Sequence, residues 1–167
     1  MAAGSTYSTI ATNTVSGSST NSVSLTSIPS TYTDLVLIVN SSRTTSGVGN
    51  IYLRYNNDSG SNYSATRVYG DGSAVGSFRQ TSTIWAIGGN QTDTMTTTIF
   101  HIMNYANTTT YKTMMSRYAS TGSGDSTSAG VALWQSTAAI NRVDCLLTAS
   151  TYFTAGSTLT LYGIAAA

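Results

Sequence analysis

The sequence has no glutamate and one lysine, Lys112, and only 8% of its 167 residues are charged, against about 25% in ordinary soluble domains. Glu, Lys, Gln and Arg dress the exposed side of helices, so their scarcity argues against a helical protein. Cys145 is the one cysteine, which excludes an intrachain disulfide and a thiolate metal cluster. Flanked by Val143 and Leu147, it reads as a small buried apolar residue. No apolar run approaches the ~20 residues of a membrane helix, so no membrane partner is expected. The first residues show neither a basic stretch nor an apolar core, so the chain reads as made in the cytoplasm without a secretion signal. Six dispersed arginines and a net charge of +1 leave no clustered cationic surface, and no nucleic-acid partner is expected.

What is present points one way. The chain holds thirty Thr, twenty-six Ser and eleven Tyr. Thr, Tyr, Val and Ile suit pleated, half-buried surfaces, so the composition predicts an all-β protein. A chain of this length makes one domain, burying roughly 68–70% of the surface its unfolded form exposes. Alternation marks about ten short strands: 22–28, 34–40, 51–55, 63–69, 81–89, 94–105, 111–118, 130–134, 140–147 and 157–164. Asp34–Asn40 is apolar on both faces and reads as a central strand. Ser, Thr, Gly and Asn clusters separate the strands, and no fixed repeat appears. The expectation is a jelly-roll-like antiparallel sandwich over 22–167. It is preceded by a polar arm over 1–21 whose apolar anchors are Tyr7, Ile10 and Val15.

The stretch Ile51–Tyr69 carries this grammar most clearly. Ile51, Leu53 and Tyr55 share one strand face, and Tyr52 and Arg54 the other. A polar corner from Asn56 to Asn62 follows, with Gly60 free to take a positive φ. In that corner Asn56, Asp58 and Asn62 can fold onto nearby backbone amides and fix the loop without a ligand. It superficially resembles a calcium loop but lacks the closing bidentate Glu and regular ligand alternation, so no metal or other cofactor is expected.

Signals for catalysis are weak. His101, the only histidine, is in register with Met95, Ile99 and Met103, and an interior or interfacial role is its default reading. No Gly-x-Ser-x-Gly elbow occurs, and Ser123 lies in an ordinary flexible loop. A glycosidase needs two carboxyl groups flanking the scissile bond. Without Glu the choices are Asp34, Asp58, Asp71, Asp93, Asp125 and Asp144, five of them in or beside turns where Asp is the expected residue. Trp85 and Trp134 adjoin apolar residues and read as core. Tyr7, Tyr32, Tyr69 and Tyr152 suit contacts, since tyrosine brings area at low entropic cost.

Three segments together carry a family resemblance. They are Ser27-Ile28-Pro29-Ser-Thr-Tyr32 leading to Leu35-Val-Leu-Ile-Val and Arg43; Leu53-Arg-Tyr-Asn56-Asn-Asp58-Ser-Gly-Ser-Asn62-Tyr63-Ser; and Ile140-Asn-Arg-Val with Tyr152-Phe-Thr-Ala-Gly156-Ser-Thr-Leu-Thr-Leu-Tyr162-Gly163-Ile. The chain resembles small virion proteins of tailed bacteriophages over roughly 22–70 and 140–164, with Tyr55 where the pattern commonly has Phe. The resemblance implies jelly-roll modules that assemble as homotrimers, used as capsid decoration (cement) proteins or in tail fibres, with no active site to carry over. The expectation is a non-enzymatic protein on the head surface, its partner the major capsid protein or another virion protein. The alternative is a tail-fibre tip recognising a host surface glycan. Gly156 and Gly163 suit turn or close-approach positions. Tyr162 is expected to place its ring between the sheets. Tyr7, Ile10, Val15, Tyr69 and Tyr152 are the expected partner contacts.

Overall fold

The computed structural model describes residues 6–17, 20–44, 49–83, 86–120, 126–148 and 150–165. These hold twelve strands: β1 (Tyr7–Thr14), β2 (Ser22–Leu25), β3 (Asp34–Ser41), β4 (Gly49–Tyr55), β5 (Tyr63–Gly70), β6 (Val75–Thr83), β7 (Ala86–Gln91), β8 (Thr96–Met103), β9 (Lys112–Ser120), β10 (Ser126–Trp134), β11 (Val143–Leu147) and β12 (Thr158–Ile164). They form an eight-stranded sheet, β1-β12-β3-β8-β9-β10-β5-β6, and a four-stranded sheet, β2-β11-β4-β7. Every pairing is antiparallel. The chain changes sheet at each connection except β5–β6, β8–β9 and β9–β10. This wrapping is a jelly-roll-like sandwich whose large sheet is widened by the β8–β10 meander and by β12 and β1.

The fold follows from the two-residue period. In β8, Thr96, Thr98, Phe100 and Ile102 turn inward, while Thr97, Ile99, His101 and Met103 turn outward. In β3, Leu35, Leu37 and Val39 are fully buried. Ile51, Leu53 and Tyr55 of β4 meet them from the small sheet within one core that also holds Val143, Cys145, Leu159 and Leu161. Burying such side chains stabilises the sandwich by ~1.5–3 kcal/mol each. Cys145 is the inert core residue expected, its thiol pushed up by burial and by Asp144.

Three expectations change. Tyr7–Thr14, placed in a polar arm over 1–21, is a strand of the same domain: it pairs with β12 along the edge of the large sheet. Ladder hydrogen bonds to β12 hold it, and Ile10 and Ala11 pack on the core. Val15 is buried in that core, so it is not a partner contact. The stretch 81–89 is two strands, β6 in the large sheet and β7 in the small one. The crossing at 84–85, including Trp85, lies outside the described residues, as do Ser123 and Asp125.

Candidate binding surface

Eight strands face four, so the small sheet covers one side of the large sheet and leaves the other side open. On that open side cross-strand neighbours line up in rows. One row runs Tyr162, Val36, His101, Met115, Val131, Thr66. The next runs Ile38, Ile99, Arg117, Ala129, Val68. Three hollows form one trough: those of about 350 and 630 Å³ share Met115 and Val131, and those of about 630 and 770 Å³ share Val68 and Arg117, the last ending at Val75. It follows β5 from Ser64 to Gly70, a length of about 20 Å at ~3.4 Å per residue. Met115, Val131 and Val68 are 45, 55 and 57% exposed on its floor.

The one carboxylate among the described residues on this side, Asp34, is already engaged. His101 lies on the open face rather than in the interior, its Nε2 2.9 Å from Asp34 Oδ2. Asp34 Oδ1 also accepts the Asn104 amide at 2.8 Å. Both carboxylate oxygens are therefore engaged at the start of β3. Arg117 lies between Ile99 and Ala129, and Arg79 sits opposite Thr66. No carboxylate among the described residues meets either guanidinium. The surface is apolar and threonine-rich, and among the described residues its two arginines face no carboxylate.

The corner after β4 is built quite differently. Its left-handed residues are Asn56 and Asn57, at φ 51° and 58°, so Gly60 is not the positive-φ position expected of it. Asn56 reaches across the fold: its Nδ2 donates to Ala139 O at 2.8 Å, and its Oδ1 accepts the Asn141 and Arg142 amides at 3.0 and 3.2 Å. Asp58 accepts from Gly60 N (2.8 Å), Asn62 Nδ2 (2.9 Å) and Trp134 Nε1 (2.7 Å). Burial alone would raise this carboxyl. The three donors and the charge of Arg54 together hold it below its usual range. Trp134, Tyr55 and Tyr63 pack beneath with ring centroids 5.5–6.2 Å apart. Tyr63 also donates to Asp58 O at 3.3 Å and accepts from Tyr55 N at 3.1 Å. The corner is a self-tied plug. It spends its polar groups on the chain itself.

Several other positions singled out in the sequence also serve the fold. Gly163 leaves room for the Tyr32 ring, which lies 2.3 Å from where a Cβ would stand. A ring covering a strand glycine replaces the packing that residue lacks. Tyr105, fully buried, donates to the Pro29 carbonyl. Ile28 and Arg43 are buried, and Gly156 takes φ 86°. Tyr162 points outward rather than between the sheets, because it shares parity with Val36. Its ring meets Tyr7 edge-on at 6.2 Å. Tyr69 lies over the space of Gly76, and Arg67 stacks on its ring at 5.5 Å. Tyr152 is half-buried.

Two groups escaped the sequence reading. Lys112 is almost fully buried, donating from Nζ to Thr110 O (2.8 Å) and Thr137 O (3.2 Å); desolvation lowers its pKa. The trough floor was missed as well, although the neighbours Met114 and Met115 put one apolar side chain on each face of β9. Among the described residues no three His, Cys, Asp or Glu side chains cluster as metal ligands. Asp144 is tied to Arg142 at 2.8 Å and Ser24 at 2.5 Å. Asp71 is bound within its own loop. No family model, curated protein or solved structure matches the chain.

Proposed function

We propose that this chain is a non-enzymatic structural protein of a tailed-phage virion, a decoration module attached to the outside of the head. One observation carries the reading. Among the described side chains with chemistry to offer, Asp34, Asp58, Asp144 and Lys112 are occupied in holding the fold, whereas a broad sheet face with apolar, hydroxyl and arginine groups is left open. Such a face suits adhesion. Contact surfaces of this mixed character gain strength from wet, polar rims around apolar centres. Several copies acting together turn weak single contacts into firm attachment. The resemblance in the segments around Pro29, Asp58 and Gly163 supplies the virion setting and the expectation of three copies.

The test is to locate the protein on purified particles by immunogold labelling, and to add purified protein to heads that lack it. Labelling of the head lattice and saturable rebinding are expected. Labelling confined to the tail would replace this reading with the glycan-binding fibre. Release of reducing ends from host polysaccharide by the purified protein would overturn the non-enzymatic reading altogether.

A further inference from the structure

We propose that the β5–β6 hairpin tip of one copy of this chain seats in the open trough of the next copy. The inference rests on the reading of an assembling virion protein, and it names the two surfaces that would join.

The trough is the receiving half. Its floor is apolar over about 20 Å, and contiguous exposed apolar surface on a soluble protein marks a contact site. Arg117 and Arg79 lie on it, and the one carboxylate on that face among the described residues, Asp34, is already engaged by His101 and Asn104. The complementary shape is therefore an apolar knob that brings its own free carboxylate.

The chain carries such a knob. Val75 is 91% exposed, more than any other large apolar side chain among the described residues. Four residues before it, at the hairpin tip, Asp71 binds Ser73 N and Ala74 N through Oδ1 at 3.0 and 2.7 Å, which stiffens the tip and leaves Oδ2 as a free acceptor. Those bonds also hold the carboxyl below its usual range, so it stays charged at neutral pH.

Tip into trough matches Asp71 to Arg117 and Val75 to Met115 and Val131 of the next copy. Val75 also lines the hairpin end of its own trough, beside Gly70 and Gly76, so tip and trough are neighbouring parts of one face. Two copies can therefore exchange tips about a two-fold axis, and other rotations close into a ring.

The test is sedimentation velocity of the full chain at micromolar concentration, for wild type, Val75→Asp and Asp71→Asn. Asn keeps the Oδ1 acceptor and removes only the charge. Wild type is expected to sediment as a multimer of the 17.4 kDa chain. Val75→Asp is expected as a monomer with an unchanged β-type circular dichroism spectrum. Asp71→Asn should weaken association about tenfold, with reduced salt dependence. A monomeric wild type, or a Val75→Asp protein that stays multimeric, overturns the inference. Rebinding to heads separates the two claims. A monomer that still decorates heads refutes the tip-in-trough contact alone, whereas a multimer that ignores heads refutes the virion reading alone.

Discussion

The two faces of the large sheet are made by the same strands, yet they are different materials. The inner face buries Leu35, Leu37, Phe100, Ile102 and Met114 completely or nearly so. The outer face, one residue along each strand, leaves Ile99, Met115, Val131 and Val68 with solvent contact, interleaved with Thr97, Thr113, Thr66 and Arg117. Aromatic rings follow the same division: Phe100 packs inside, while in the central rows of the outer face the rings of Tyr7 and Tyr162 sit only toward the β1 edge. The inner face holds the core of the fold, and the outer face is the surface proposed to adhere. That separation lets a contact surface vary while the sandwich stands.

The sharpest way to break the comparison is to truncate one residue on each face. Phe100→Ala is expected to destabilise by about 3–5 kcal/mol. Val131→Ala should stay within about 0.5 kcal/mol of wild type. Urea unfolding followed by circular dichroism reads both, and equal losses would dissolve the distinction. Next comes the plug at the β4–β5 corner. Trp134→Phe removes the indole donor to Asp58 and should cost about 1.5–3 kcal/mol, the range for hydrogen bonds to charged groups. Gly163→Val forces the Tyr32 ring off β12, with a loss of about 1–3 kcal/mol from overpacking; Tyr32→Ala in the same chain should absorb most of that added loss.

The smallest effect is in pH. The native Asp58 carboxyl takes its proton less readily than the unfolded one, so falling pH favours the unfolded chain. Its contribution is complete above the unfolded pKa of ~3.9 and disappears as pH drops through the lower native value. Stability of the Asp58→Asn variant should therefore fall less steeply below about pH 4 than that of wild type. Parallel acid profiles for the two would show that the donors around Asp58 do not favour its charged form.

The strands could be read because a period of two is local. Ile51, Leu53 and Tyr55, or Thr96, Thr98, Phe100 and Ile102, declare a common face by spacing alone. What spacing cannot declare is which face is covered. His101 has the right parity with Ile99 and Met103, but that parity turns out to be the open side. β1 was illegible for a related reason: seven of its eight residues are Tyr, Ser, Thr, Asn or Ala, and its place comes from the backbone of β12, not from its own apolar content. The corner was half legible. Asn56, Asp58 and Asn62 announce a loop that ties itself, but Asn56 reaching residues 139–142 and Trp134 reaching Asp58 are contacts between distant parts of the chain. Nothing in the local spacing marks Arg117 or Val75, since only the assembled sheet brings both to the trough, Val75 at its hairpin end.

The account turns on the open face being the working surface: its trough takes the tip of a sister copy, and the assembly so formed holds the head through several copies at once. The direct measurement is cosedimentation with assembled tailed-phage heads, the partner the proposed function assigns, comparing wild type with Met115→Asp/Val131→Asp at matched folded stability. Wild type is expected to bind to saturation and the double variant to stay in the supernatant. Equal binding by the two proteins would contradict the account.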